Sequence, residues 1–375
     1  MVRQHIHTPA QVLDLCAAPG GKSTAIMAAL PEGSMLVSNE PVRARANILA
    51  ENICKWGRPG VIVTNNYPKD YARSGLMFDA ILCDVPCSGE GMFRKDADAI
   101  GQWSIRNVEN CQKLQREIVE QAWQCLKPGG LLIYSTCTFN AKENEDNVAW
   151  IVENLEAEPL SANIEDCWNI SGSPIDGFPW PVYRFMPGTT RSEGLFMAVM
   201  RKPADATPGR PPKKIKPAKA EQLPAGLCRE WIANHGEFDF IARSGYILAI
   251  PRSMAKLYSA AAATLKVVHA GVCVGQIKGK DIVPEQSLAL STALNRKAFA
   301  NIELPYPDAI AYLRKNSVTL PAGAPHGFVL ATFRGMPIGF LKNIGNRANN
   351  LYPAEWKIKS THIPNETVCV VTPNI

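Results

Sequence analysis

Asp14-Leu15-Cys16-Ala17-Ala18-Pro19-Gly20-Gly21-Lys22-Ser23-Thr24 closes a β-rich run, Val12 to Cys16, and opens directly into a helical one. Small residues and glycines at the carboxyl end of a first parallel strand let a ligand reach the backbone where a doubly wound sheet changes direction. The turn is not GxGxxG, and no glycine heads the GxxxxGK[ST] pattern ahead of Gly21-Lys22-Ser23, so it is not a P-loop. Outward from it, β-rich runs recur at Met35 to Ser38, Val61 to Thr64, Phe78 to Cys83 and Leu131 to Ser135, with Gly194 to Met200 as a last strand after a long connection. Amphipathic runs separate them. Between Asn107 and Leu126, the residues Val108, Cys111, Leu114, Ile118, Ala122 and Cys125 recur at three- and four-residue steps and form one apolar face. Lys127, Pro128, Gly129 and Gly130 then stop the helix. This alternation predicts an α/β fold built on a doubly wound, Rossmann-like sheet over residues 1–200.

The 375 residues, 46% hydrophobic and 20% charged, suffice for two or three domains with cores of their own. The N-terminus, Met1 to Gln11, carries no long apolar run, and Leu257 to Val274 is interrupted by Lys266 and His269, so neither a signal peptide nor a membrane span is expected. Eleven cysteines without a CxxC pair argue against a disulfide framework and a structural zinc, and for a reducing, cytoplasmic compartment. The net charge of +6 is unevenly spread. Residues 1–200 hold 17 Lys and Arg against 23 Asp and Glu, whereas residues 221–375 hold 16 against 10. Residues 201–220 hold five prolines and seven basic residues, the composition of an extended, solvated linker to which a polyanion would be drawn. Beyond it, Phe238 to Ile250, Thr264 to Ile277 and Gly327 to Leu341 alternate β-branched and aromatic residues with glycine turns. They predict a smaller α+β or barrel-like C-terminal region over 221–375, made of two small subdomains.

Two further stretches carry chemistry. The second strand ends in Asn39-Glu40, about twenty residues past the glycines, where an acid binds ribose hydroxyls, which favours a nucleoside-bearing ligand. The fourth strand runs into Asp84-Val85-Pro86-Cys87-Ser88-Gly89-Glu90-Gly91 and the fifth into Ser135-Thr136-Cys137-Thr138. Cysteines at the carboxyl ends of adjacent strands converge on one crevice despite fifty residues of separation. A lone cysteine there is most often a small core hydrophobe. Two, each framed by polar or small residues, point to chemistry.

At these residues the sequence resembles the Sun-type RNA 5-methylcytosine methyltransferases, and within them the bacterial RsmF/YebU-like rRNA branch. The motifs are DLCAAPGGKST at Asp14 to Thr24, DVPCSGEGMFRKD at Asp84 to Asp96 and STCTFNAKENEDNV at Ser135 to Val148, and the resemblance covers residues 11–200. KNIGNRANNLYP, Lys342 to Pro353, is similar to the tail of the same branch. The resemblance implies a class I methyltransferase sheet, mostly parallel with an antiparallel last strand, and S-adenosylmethionine as cofactor. It further implies Cys137 as nucleophile, Cys87 assisting departure of the methylated product, Asp84 on the cytosine edge and Lys22 supplying positive charge. The chemistry requires a covalent cysteine: carbon 5 of cytosine is a poor nucleophile until a thiolate adds to carbon 6. Cofactor contacts carried over by position are Cys16, Ala17, Ala18, Pro19, Gly20, Gly21 and Lys22, then Glu40 on the ribose, Asn65 near the adenine where the family generally has aspartate, and Asp84. Arg94 and Lys95 offer adjacent cations to RNA phosphates.

Only thirteen residues precede Asp14, so the family's N-terminal RNA-binding region is expected to be absent and cofactor affinity to be weak. RNA, as rRNA or a small ribosomal subunit, is the expected partner, and a monomer the expected state. Two other readings stay open on the residues: a catalytically silent RNA-binding or ribosome-assembly factor, and a DNA cytosine methyltransferase with its nucleophile after the fourth strand.

Overall fold

A computed structural model describes residues 1–207, 221–224 and 228–364. Much of the basic linker, residues 208–220, lies outside the described residues, as does the end of the chain from 365. Two compact units interleave: one takes Met1–Ala50, Gly60–Ala218 and Ser253–His269, the other Glu51–Pro59, Lys219–Arg252 and Ala270–Ile375.

The first unit carries strands β1 (Gln11–Asp14), β2 (Met35–Asn39), β3 (Val61–Thr64), β4 (Phe78–Asp84), β5 (Leu126–Thr136), β6 (Glu158–Leu160), β7 (Tyr183–Phe185) and β8 (Leu195–Arg201). Its helices are α1 (Val2–His5), α2 (Gly21–Ala29), α3 (Arg43–Trp56, whose last residues fall in the other unit), α4 (Pro68–Ser74), α5 (Ala97–Gln102), α6 (Ile105–Cys125) and α7 (Glu145–Leu155). The order across the sheet is β3-β2-β1-β4-β5-β8-β6, with β7 also on β8. β1 to β5 are parallel, and β8 returns antiparallel to β5. Parallel strands covered on both faces must be apolar throughout, and Val61, Ile62, Val63, Leu13 and Ile81 are all essentially inaccessible. The winding direction reverses between β1 and β4, which sets the carboxyl ends of β1, β4 and β5 side by side.

Three features depart from the pattern read off the sequence. The apolar face of α6 holds Val108, Ile118, Ala122 and Cys125 as expected, but Leu114 is 43% exposed and Gln115 is fully buried in its place. The reason is hydrogen bonding: Gln115 Nε2 donates to Pro86 O at 2.9 Å and to Glu143 Oε2 at 2.7 Å, so its amide is satisfied inside. The second is the start of the basic stretch. Arg201 ends β8, and Lys202 is only 4% exposed, its ammonium donating to Trp123 O and Leu126 O at the carboxyl end of α6. A cation there satisfies orphan carbonyls and complements the helix dipole, so Lys202 belongs to the fold, not to solvent. The third is a ninth strand, Val267–Ala270 (β11 in chain order), which lies at the edge of this sheet beside β3, although its run was assigned to the C-terminal region.

The second unit holds β9 (Phe238–Arg243), β10 (Tyr246–Pro251), β12 (Val272–Lys278) and β13 (Asp281–Pro284) in an antiparallel sheet ordered β13-β12-β10-β9. A further sheet joins β14 (Ala300–Glu303), β15 (Gly327–Phe333), β16 (Met336–Asn343) and β17 (Ala348–Asn350), with β14 parallel to β15 and the others antiparallel. One apolar cluster gathers Trp231, Phe240, Ile247, Phe299 and Phe340, and another Leu304, Tyr312, Val329 and Leu341. No helix among the described residues is long and apolar enough to cross a membrane.

Candidate active site

The turn after β4 and the turn after β5 meet. Cys87 Sγ and Cys137 Sγ are 3.0 Å apart. The turns are laced by backbone: Val85 N–H donates to Ser135 O at 3.0 Å and Gly91 N–H to Cys137 O at 2.8 Å. Only glycine permits the second contact, because a Cβ at position 91 would stand 2.6 Å from Cys137 O. Asp84, at the end of β4, accepts from Ser135 Oγ at 2.7 Å and pairs with Lys22 Nζ at 2.8 Å.

The electrostatics separate the two sulfurs. The hydrogen bond to Cys137, reinforced by burial, holds the Cys87 thiol far above its ordinary range. The same bond draws Cys137 down; burial and Asp84 oppose this, and Lys22 assists. The contact therefore favours the proton on Cys87 and thiolate character on Cys137. Burial alone pushes other cysteines the opposite way, Cys125 to about 12.

On the neighbouring strand Asp14 is inaccessible, and burial raises its carboxyl to about 7 although Ser23 Oγ donates to Oδ2 at 2.7 Å. Its Oδ1 has no hydrogen-bond partner among the described residues. Gly20 takes φ +115°, and nothing lies within 4 Å of a Cβ built on Gly21, so the turn opens on free space at Gly21. Glu40, 1% exposed, accepts from Val42 N–H at 2.9 Å and has Arg45 3.5 Å away; Arg45 also donates to Ala18 O. Asn65 turns its amide to Glu40 O and Pro41 O, and its Oδ1 accepts from Lys266 Nζ. Its hydrogen bonds therefore brace the loop after β3. Arg94 and Lys95 are exposed and lie 3.9 and 3.7 Å from Glu193, so their charge faces solvent beside an acid. Among the described residues, no group of three or more His, Cys, Asp or Glu is placed to hold a metal.

Four residues of this region were not singled out from the sequence. Arg45, Gln115, Glu90 and Glu143 all bond to the turns that carry the chemistry. The acids stood inside the quoted motifs, and an acid within a cysteine-bearing turn was the available signal.

Residues 4–201 match the family profile described as 16S rRNA methyltransferase RsmB/F, and residues 299–358, which contain β14 to β17, match the methyltransferase RsmF PUA domain. Ribosomal RNA small subunit methyltransferase F of Escherichia coli O139:H28 (strain E24377A / ETEC) is 32% identical over 366 residues, covering 93% of this chain and 74% of the relative. The protein of that name from Klebsiella pneumoniae (strain 342) is 30% identical over 363 residues, covering 92% and 73%. Among solved structures, that of NSun6 from Pyrococcus horikoshii with SFG matches with a TM-score of 0.46 and 28% identity, covering 54% of this chain and about half, 50%, of that one.

Proposed function

The chain belongs to the 16S rRNA methyltransferase RsmB/F family, and on that premise we propose that Cys137 is the nucleophile of an rRNA cytosine 5-methyltransferase acting on small-subunit rRNA as a cytoplasmic monomer. The observation that carries the assignment is the 3.0 Å contact between two sulfurs at the ends of β4 and β5, with thiolate character on Cys137.

The residues around the glycine turn fit S-adenosylmethionine: Asp14 Oδ1 is an orphaned buried acceptor, Gly21 opens on space, and Glu40 is a buried acid where a ribose would lie. Cys16 to Lys22, Glu40 and Asp84 would hold it; Asn65 would contribute by bracing the loop. When bound, the cofactor supplies an electrophilic methyl group.

Cys137 adds to carbon 6 of the cytosine, which makes carbon 5 nucleophilic. Asp84, kept in place by Ser135, bonds the cytosine edge near N3, while the Lys22 ammonium paired with it offsets the negative charge that develops on the ring and favours the thiolate before attack. Once Cys137 is bonded to carbon its sulfur no longer accepts the Cys87 proton. The foremost cause of the raised Cys87 pKa is then gone, so Cys87 can give its proton to solvent; as a thiolate it takes the proton from carbon 5, and the bond from carbon 6 to Cys137 breaks with its electrons returning to that sulfur, which releases the product. Arg94 and Lys95 would meet RNA phosphates, and a cytosine inside a duplex has to be flipped out to reach the sulfur.

The test uses tritiated S-adenosylmethionine and RNA carrying 5-fluorocytosine, from which a base cannot remove the group at carbon 5. A labelled covalent complex is expected with wild type and with Cys87→Ala, and none with Cys137→Ala. Trapping that survives Cys137→Ala and disappears with Cys87→Ala would reverse the two roles, as in a DNA-type enzyme. Absence of any complex with wild type would leave an RNA-binding factor.

A further inference from the structure

Two carboxylates with no part in the chemistry above bridge the cysteine turns in opposite senses. Glu143, fully buried and supplied by the stretch after Cys137, reaches back to the other turn. Its Oε2 accepts from Ser88 N–H at 3.0 Å and from Gln115 Nε2 at 2.7 Å, and its Oε1 from Asn140 Nδ2 at 2.8 Å. Gln115 Nε2 also donates to Pro86 O, so the residues on both sides of Cys87 are held by this one carboxylate and its amide partner. Glu90, supplied by the stretch after Cys87, reaches the other way. Its Oε2 accepts from Phe139 N–H at 2.6 Å and Asn140 N–H at 2.9 Å, and its Oε1 from Trp103 Nε1 at 3.0 Å. These bonds favour its ionised form against the cost of burial.

We infer that Glu90 and Glu143 are positioning residues that form a reciprocal clamp, Glu143 holding the backbone beside Cys87 and Glu90 the backbone at Phe139 and Asn140 past Cys137, so that the two sulfurs stay in hydrogen-bond contact. Adjacent parallel strands are fixed by their ladder only as far as their last paired residues, here Asp84 and Ser135. Cys87 and Cys137 lie beyond that limit, in turns with no ladder of their own. Beyond it the turns are also joined by Val85 N–H to Ser135 O, Gly91 N–H to Cys137 O and the Ser88–Thr138 hydroxyl pair; the two carboxylates add the bonds that fix the N–H groups of Ser88, Phe139 and Asn140, and without these the sulfur–sulfur contact loosens. The clamp's bonds to Cys137 come through its neighbours, so neither acid needs to touch substrate. The other charged groups that face Cys137, Asp84 and Lys22, are anchored on β4 and α2 and do not depend on the clamp.

The inference rests on the proposed division of roles between the cysteines, and its test separates the two. Iodoacetamide alkylation of Cys137, followed by peptide mass spectrometry across pH, reads thiolate content without any turnover. In Glu143→Gln and Glu90→Gln, each of which faces a required N–H donor with an amide, alkylation near pH 7 is expected to fall by about tenfold, the scale of one hydrogen bond to a charged group. The profile should move toward higher pH, approaching that of Cys87→Ala. Tight folding of each variant is checked by calorimetric binding of S-adenosylmethionine, whose turn the clamp does not touch. A second readout is the covalent complex with ordinary cytosine RNA, which should persist in the variants because Cys87 no longer reaches carbon 5. Unchanged alkylation profiles, with wild type still trapping fluorinated RNA, would sink the clamp and leave the catalytic assignment standing. Shifted profiles with no trapping by wild type would do the reverse.

Discussion

Replacing Asp14 by asparagine tests the most unusual charge in the site. Asp14 is wholly inaccessible, its Oδ1 has no partner among the described residues, and burial carries its carboxyl from 3.8 to about 7, with Asp84 and Glu40 adding to the rise and Ser23 and Lys22 opposing it. A folded-state pKa above the unfolded one means the native protein keeps a proton that the unfolded chain has lost. Stability contributed by Asp14 is therefore full below about pH 4 and declines as pH rises to about 7, above which the loss levels off. At about pH 8 the displacement is worth about 4 kcal/mol, against about 1 kcal/mol at pH 4.5. Asparagine is close in shape and cannot ionise, so the stability of Asp14→Asn relative to wild type should rise by about 3 kcal/mol between those pH values. Urea unfolding of both proteins at the two pH values measures this as a difference of differences, in which titrating groups that do not face Asp14 cancel. Parallel pH profiles would refute the reasoning, because they would mean that Asp14 ionises in the folded chain as it does in the unfolded one.

Two further outcomes follow from contacts with little room to adjust. Gly91→Ala drives a Cβ to 2.6 Å from Cys137 O and 3.1 Å from Glu193 O, both backbone atoms, so covalent trapping should fall by more than about tenfold with a stability loss of about 1–3 kcal/mol, read by trapping yield and thermal unfolding. Lys202→Ala strips the ammonium from Trp123 O and Leu126 O and should cost about 1–3 kcal/mol in thermal or urea unfolding; a change near zero would return Lys202 to the solvated linker.

Much of the first unit was legible from local pattern. β3 has the bounds its apolar run implies, and β2 and β4 extend one residue further. β5 begins at Leu126, five residues before the run that marks it, because the glycine-rich stop after α6 is itself paired with Lys202. Strands buried on both faces announce themselves by composition, and a glycine turn between strand and helix announces the ligand end of the sheet. The convergence of Cys87 and Cys137 was also readable, since strand order in such sheets is nearly fixed by chain order. Asn65 illustrates the limit: position places it after β3, but its side-chain bonds to Glu40 O, Pro41 O and Lys266 involve partners drawn from other segments of the chain.

What the sequence by itself determined is the α/β architecture, the glycine turn after the first strand, and the pair of cysteines, because each depends on periodicity or on motifs contiguous along the chain. Only the tertiary structure decided that Gln115 rather than Leu114 faces inward, that Lys202 closes a helix, that Val267–Ala270 extends the first sheet, and that Glu90 and Glu143 bond across the two cysteine turns. The physical reason is common to all four. A polar group or an edge strand can be buried only when partners from distant segments satisfy its hydrogen bonds, and those partners become neighbours only once the chain has folded.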